Sequence, residues 1–290
     1  MNNLVDVLCD LCGSGMHRKI REKNGLKVVK CKKCNLAFVN PQLRREELVS
    51  MYNENKISPV DYYLETEEDD ALTFKRRLRL LSRFLPEAAK LEVLDLGCNI
   101  GTFSLLMKKK GWLVKGIDVN ESAIEYCRRH NDVDAACADF LTVDLQRNKY
   151  NLVVMNDFLE HVQSPAEALT KTFDLLKKGG RVFISTPTID SMVAFVSGNK
   201  WLHLKPDEHL FYFSKKTISA LLIKSRFEIE WLGSLGRIRN LKQVFYKSQV
   251  YTPWLWKLVE FLHLEKGLAK VRLNVNLGDE MGVLAVKPDR

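Results

Sequence analysis

The chain has 290 residues and a hydrophobic content of 46%, enough to bury the core of one main domain with appendages. No apolar run approaches the ~20 residues of a membrane span, and the N-terminus lacks the layout of a signal peptide, so we expect a cytoplasmic protein. The formal net charge of +9 is uneven: +5 over residues 1–40, −1 over 41–90, 0 over 91–236 and +5 over 237–290. The two basic ends could face an acidic small molecule, a lipid head group or an RNA, or could simply keep the protein in solution.

Two Cys-x-x-Cys pairs stand near the N-terminus and are separated by eighteen residues. Each pair can form a knuckle that supplies two thiolates, and two knuckles close a tetrahedral site with no open position. Because about 40 residues are too few to build a stable core unaided, a metal has a structural purpose here. The pattern predicts a zinc ribbon over residues 1–40, with two redox dithiols as the alternative; its ligands are Cys9, Cys12, Cys31 and Cys34.

Residues 41–90 are predicted to form a helical lid over the main domain. A turn and an acid-rich helix come first, followed by a loop that carries Tyr62 and Tyr63. An amphipathic helix then ends before Pro86. The two tyrosines either cover a cofactor or pack as ordinary loop residues.

Residues 93–101, VLDLGCNIG, are the most informative segment of the main domain. A buried strand runs into a tight turn that opens a helix, and a second strand ends at Asp118, seventeen positions after Gly101. Glycines in such a turn let the backbone approach a ligand closely, and an acid about 20 residues further on can hold both hydroxyls of a ribose. The spacing predicts a nucleotide-type pocket.

Apolar strands alternate with predicted helices over 102–110, 121–130 and 165–177. This alternation specifies a parallel sheet covered on both faces, so the fold class is doubly wound α/β over residues 91–236. Residues 237–275 form an insertion at the active-site edge, interpreted as a substrate cap whose aromatics are buried against the domain rather than exposed to lipid. Residues 276–290 contribute the final strand.

The turn resembles motif I of the class I S-adenosylmethionine (SAM)-dependent methyltransferases and does not fit the dinucleotide fingerprint. The middle glycine of that motif is replaced by Asn99, a residue that tolerates the left-handed backbone conformation. The resemblance extends through LKKGGRVFISTP, DEHLFYFS and LGDEMGVLAVKP, and implies a seven-stranded sheet with an antiparallel last strand. It implies that SAM contacts Asp95, Gly97, Cys98, Asn99, Gly101 and Asp118, with Asp139 at the adenine amino group and Asn156 beneath the methionine part.

Methyl transfer to a hydroxyl needs alignment and a proton acceptor. The candidate catalytic residues are His161, His209 and Glu160, with His203 ranked lower. The run from Asp157 to His161 also resembles the divalent-metal cluster of ubiquinone-pathway O-methyltransferases, although acid clusters commonly cap helices instead.

Over its whole length the chain is similar to cytoplasmic methyltransferases with an N-terminal zinc ribbon that act in bacterial glycan and secondary-metabolite pathways. The resemblance implies O- or C-methylation of a small molecule, such as a sugar or nucleotide-sugar. A zinc-ribbon RNA methyltransferase is the alternative, disfavoured by the neutral core and the absence of an Asn-Pro-Pro-Tyr motif. A non-catalytic SAM-fold binding protein is a second alternative.

Overall fold

The computed structural model describes residues 4–54, 56–57, 59–86 and 90–289; parts of the expected ribbon, lid and final segment lie outside them, at residues 1–3, 55, 58, 87–89 and 290. The ribbon contains a hairpin closed by the two-residue turn Asn24–Gly25, whose positive φ values of 52° and 76° suit the twist of the flanking strands. Its strands are β1 (Leu4–Val5), β2 (His17–Lys23), β3 (Leu26–Cys31), β4 (Ala37–Val39) and β5 (Gln42–Leu43).

Two helices follow the ribbon, α1 (Arg45–Asn53) and α2 (Val60–Leu81). The predicted loop around Tyr62 and Tyr63 is wrong, because both tyrosines lie in the first turn of α2. Pro59 precedes this helix in an extended conformation, and acidic side chains of the segment pair with arginines from elsewhere in the chain. Local sequence carries no trace of those distant partners, which is why the segment looked like a loop.

The main domain alternates strands and helices as predicted, with helix ends within two residues of the expected positions. Its elements are β6 (Glu92–Leu96), α3 (Thr102–Lys109), β7 (Leu113–Asp118), α4 (Glu121–Asn131), β8 (Asp134–Cys137), β9 (Tyr150–Asn156), α5 (Pro165–Leu175), β10 (Leu176–Pro187), α6 (Met192–Ser197), β11 (Phe211–Tyr212), α7 (Lys215–Lys224) and β12 (Glu228–Ser234). The later elements are β13 (Arg237–Asn240), α8 (Leu241–Ser248), α9 (Pro253–Phe261), α10 (Glu265–Leu268), β14 (Arg272–Val275) and β15 (Glu280–Val286).

A seven-stranded sheet organises the domain in the order β12-β15-β10-β9-β6-β7-β8. β15 lies antiparallel between β10 and β12, whereas β10, β9, β6, β7 and β8 run parallel. The central strands are buried on both faces, as their continuous apolar runs require. The predicted doubly wound α/β fold with an antiparallel last strand is confirmed.

The ribbon is joined to the main domain through shared structure. β11 extends the ribbon sheet by pairing with β4, where Phe211 stands opposite Phe38. One apolar cluster contains Val29 and Phe38 of the ribbon together with Leu159 and Phe213 of the main domain. The two parts therefore bury apolar surface against each other.

The insertion is a stem of two antiparallel strands, β13 and β14, that carries α8, α9 and α10. We call residues 237–275 the cap. It is held by α2: Asp69 accepts from Arg272 Nε at 2.7 Å and from the backbone N–H of Asn240 at 2.8 Å, while Asp70 accepts from Arg239 at 2.7 Å. The expectation that the aromatic side chains of the cap are buried is wrong for Trp254, which is 64% exposed, and for Tyr246, which is 53% exposed.

Candidate functional site

A cavity lies at the carboxyl ends of β6, β7 and β9, where a doubly wound sheet binds its ligands. Seven of the eight residues predicted to hold the cofactor line this cavity. The eighth, Gly101, lies in the chain between Ile100 and Thr102, which both line it. Of the catalytic candidates, His161 lines the cavity, whereas Glu160 and His209 lie outside its wall. The predicted residues in the wall are Asp95, Gly97, Cys98, Asn99, Asp118, Asp139, Asn156 and His161.

The turn after β6 has the backbone that its sequence predicts. Gly97 has a φ of 70°, and a Cβ there would lie 2.9 Å from the Phe158 ring. Asn99 has a φ of 49°, so asparagine does take the left-handed conformation where the family motif has glycine. The turn thereby keeps its backbone against the cavity.

Two carboxyl groups sit beneath this turn. Asp118 accepts from the backbone N–H groups of Asn99 and Asn120, both at 2.9 Å, and burial raises the pKa of its carboxyl. Asp95 accepts from the Ser104 hydroxyl at 2.6 Å. Burial and the nearby charge of Asp118 outweigh that hydrogen bond and raise the pKa of Asp95 to about 7.

At the adenine end expected from the sequence, Asp139 pairs with Arg45 of α1. Arg45 Nε donates to Asp139 Oδ2 at 2.5 Å, and the backbone N–H of Leu141 donates to Oδ1 at 2.8 Å. Sequence reasoning missed Arg45, since nothing in the order of residues indicates a contact across 94 positions. The helix α1 therefore closes one side of the cavity.

A buried polar network occupies the opposite side. Arg77 of α2 donates to Asn156 Oδ1 at 2.9 Å and also binds Glu280. Arg237 binds Glu280 and donates to Asp157 Oδ2 at 2.5 Å. Although burial opposes it, the charges of Arg237 and Arg77 lower the pKa of Asp157 to about 2.

The imidazole of His161 is held on both sides. The Tyr52 hydroxyl lies 2.9 Å from His161 Nδ1, and the Glu208 carbonyl accepts a hydrogen bond from the ring. Burial lowers the pKa of His161 and raises that of Tyr52 well above its usual range, so near neutral pH a protonated phenol faces a neutral imidazole. Tyr52 also lines the cavity, and sequence reasoning missed it.

Glu160 and His209 lie behind this pair. One ligand atom from each of Glu160, His161 and His209 lies within 4.8 Å of the others. Burial raises the pKa of Glu160 well above its ordinary value, and lowers that of His209, whose Nδ1 lies 2.9 Å from the His203 carbonyl. Asp157, the first acid of the metal cluster suggested by the sequence, is absent from this group and pairs with Arg237.

The ribbon cysteines converge as a metal site requires. One sulfur from each lies within 4.8 Å of the others, and all four are free thiols. Cys9 Sγ lies 3.3 Å from Cys34 Sγ, and Cys12 Sγ lies 3.6 Å from Cys31 Sγ, close to the ~3.8 Å expected between thiolates on one tetrahedral zinc. The backbone N–H of Lys33 donates to Cys31 Sγ at 3.4 Å. The arrangement is compatible with structural zinc.

The sheet order and the cavity define the fold of a class I SAM-dependent methyltransferase. The profile of the family described as "Methyltransferase domain" matches residues 68–230, more than half of the chain, and the chain belongs to this family. The predicted resemblance is thereby confirmed. Among the described residues, no helix is long and apolar enough to cross a membrane.

Curated relatives include the ubiquinone biosynthesis O-methyltransferases of Coxiella burnetii, 35% identical over 101 residues, and of Pseudomonas aeruginosa, 32% identical over 101 residues. The matched segments cover 32% and 33% of this chain and 42% and 44% of those proteins, so the chain spans less than half of their length.

Two solved structures have the same fold. A Thermotoga maritima SAM-dependent methyltransferase, described as a possible histamine N-methyltransferase, has a TM-score of 0.55 at 17% identity and covers 82% of this chain and 99% of its own. An Archaeoglobus fulgidus SAM-dependent methyltransferase has a TM-score of 0.53 at 19% identity, with 78% and 99% covered. At these identities the likeness establishes the fold alone.

Proposed function

We propose that the protein transfers a methyl group from SAM to a small-molecule acceptor such as a sugar, a nucleotide-sugar or a related metabolite. The observation that carries the proposal is electrostatic. Three of the five carboxylates lining the cavity are paired with arginines, namely Asp70, Asp139 and Asp157. Within the described part of the chain, Asp95 and Asp118 have no cationic partner, which leaves negative charge for a cationic ligand such as SAM.

Bound SAM would supply a methyl group already activated by its positive sulfur. The carboxylate of Asp118 would accept from the ribose hydroxyls, since its position beneath the turn is fixed by two backbone N–H groups. Asp139, oriented by Arg45, would accept from the adenine amino group. Gly97 to Gly101 would lie along the ligand, and Asn156 would lie near its methionine part.

His161 and Tyr52 form the proton-accepting pair in this proposal. In this proposal the neutral imidazole keeps its lone pair on Nδ1, where the Tyr52 hydroxyl covers it. A hydroxyl acceptor must therefore displace Tyr52 from His161 or pass its proton through the phenol. Glu160 and His209 lie outside the cavity wall and would position the imidazole rather than touch the acceptor. The O-methyltransferase names of the curated relatives favour a hydroxyl acceptor.

A structural zinc in the ribbon belongs to the same proposal. Its ligands would be Cys9, Cys12, Cys31 and Cys34, and it would hold the two knuckles together without an open position for catalysis.

Cofactor binding is tested by calorimetry with S-adenosylhomocysteine. Asp118→Ala should weaken binding by about 1–3 kcal/mol because the ribose loses its hydrogen-bond acceptor. Asp134→Ala is the matched control, since Asp134 is an exposed partner of Lys115 beside the same strand. An absence of heat with the unaltered protein would refute the proposal.

The acceptor is sought by incubating the protein and methyl-labelled SAM with a metabolite extract, and separately with cellular RNA. We expect label in small molecules. RNA binding depends on cations that contact phosphates, and two arginines of the cap, Arg239 and Arg272, are already paired with carboxylates of α2. Label in RNA alone would favour the alternative of a zinc-ribbon RNA methyltransferase. Once the acceptor is known, His161→Ala should abolish methyl transfer and leave the binding of S-adenosylhomocysteine intact. His209→Ala should reduce the rate of methyl transfer less.

A further inference from the structure

We propose that the outer face of the cap docks on a membrane surface rich in anionic lipid. This outer face consists of Trp254, Lys257, Leu258, Phe261 and Leu262. The inference concerns a surface away from the cavity, and it stands whether or not the protein transfers methyl groups.

The spacing of these residues places them on one stripe of α9 and its C-terminal end. Relative to Trp254 they fall at i+3, i+4, i+7 and i+8, which share a helix face. Trp254 is 64% exposed and Phe261 is 79% exposed, whereas Val259 of the same helix is buried. A helix with an apolar stripe facing solvent and a buried opposite side has the layout of an interfacial helix.

The charge of the cap complements an anionic surface. Residues 237–275 contain eight Lys and Arg and two Glu. Arg237, Arg239 and Arg272 pair with carboxylates of the main domain and α2. The remaining five cations are lysines, and one of them, Lys257, lies within the apolar stripe.

The two acids of the cap do not offset this charge on the stripe. Glu260 accepts from Trp256 Nε1 at 2.8 Å on a different side of α9, and Glu265 is partly buried. Each Lys near an anionic bilayer contributes about 1 kcal/mol of attraction. Aromatic residues such as Trp are also the side chains enriched at the membrane interface.

A lipid surface fits better than a second copy of the chain. Two copies that met through this face would bring two positively charged caps together, which costs free energy. Arg237 at the base of the cap lines the cavity, so the cap links the docking surface to the site of the proposed methyl transfer.

Vesicle sedimentation tests the surface. The full chain should sediment with vesicles of phosphatidylglycerol and phosphatidylcholine, and much less with phosphatidylcholine alone or at high salt. Trp254→Ser combined with Phe261→Ser should lower the bound fraction about tenfold, and Lys257→Glu should lower it less. Ile223→Ser is the control, because Ile223 is 64% exposed on α7 outside the cap.

All variants change exposed side chains, and an unchanged thermal unfolding curve will show that they fold. Equal binding of the double variant and the unaltered protein would overturn the proposal, as would equal binding to neutral vesicles. An absence of vesicle binding would also overturn it. If light scattering then shows a dimer that the double variant cannot form, the stripe is a contact between copies of the chain. Calorimetry with S-adenosylhomocysteine is independent of all these outcomes and tests the proposed function separately.

Discussion

The ribbon and the cap are both strongly basic appendages, yet they are attached to the main domain by different forces. The ribbon shares a sheet and an apolar cluster with it, through β11 and residues such as Phe38. The cap is attached chiefly through polar contacts, in which Asp69 and Asp70 of α2 hold the β13–β14 stem. Its apolar stripe is left exposed.

The cations of the two appendages also have different partners. In the ribbon, Arg21 donates to the Gly198 carbonyl at 3.0 Å and Lys23 donates to the Leu204 carbonyl at 2.9 Å. In the cap, Arg239 and Arg272 pair with carboxylates. Similar net charge in two segments therefore does not indicate similar ligands, because some of the cations in each segment are bound to carbonyls or carboxylates of the protein itself.

The largest expected effect is the loss of the ribbon metal. Chelation, or Cys31→Ser, should cost at least about 3 kcal/mol of unfolding free energy and lower the Tm of the whole protein by roughly 10 °C, because the ribbon shares its core with the main domain. Elemental analysis should find about one zinc per chain. Cys137→Ser, at an exposed cysteine, is the control. If the ribbon unfolds in a separate thermal transition and the Tm of the main domain is unchanged, the shared core is contradicted.

Detaching the cap should have a smaller and more local effect. Asp69→Ala leaves Asn240 without its carboxylate and Arg272 with only its exposed contact to Glu68, and should cost about 2–3 kcal/mol. Trypsin should then cut within residues 237–275 faster, while the unfolding of the main domain changes little. Glu65→Ala is the control at an exposed position of α2. If the main domain instead unfolds together with the cap, then the cap is coupled to the main domain as the ribbon is.

The smallest effect is expected at Asp95, in the main domain to which both appendages are attached. Its pKa of about 7 lies above the ordinary value of 3.8, so its contribution to stability is full below pH 3.8 and is lost as the pH rises through 7. Relative to Asp95→Asn, the ligand-free protein should thus be more stable at pH 6 than at pH 8.

Ligand binding should show the opposite trend. SAM is cationic and favours the ionised carboxyl, so its affinity should rise by up to about tenfold between pH 6 and pH 8 in the unaltered protein. The Asp95→Asn variant should lack this rise. Calorimetry and thermal unfolding at the two pH values measure both trends, and a parallel pH dependence in the variant would exclude Asp95 as their source.

The strand and helix pattern of the main domain was predictable because its apolar runs and turns are local signals. The motif around Gly97 and Asn99 predicted a left-handed turn, and the backbone has it. The two Cys-x-x-Cys pairs predicted the four-sulfur cluster for the same reason, since each knuckle is a local structure. Family resemblance then supplied the number of strands and the antiparallel last strand, which local patterns leave open.

The amino-acid sequence by itself determined the fold class, the turn at the cavity and the cysteine cluster. Only the tertiary structure decided that Arg45 meets Asp139, that Tyr52 covers His161, and that Trp254 faces solvent. The first two contacts join residues 94 and 109 positions apart. The physical reason is that hydrogen bonds and burial depend on distance in space, whereas periodicity and motif spacing record only neighbours along the chain.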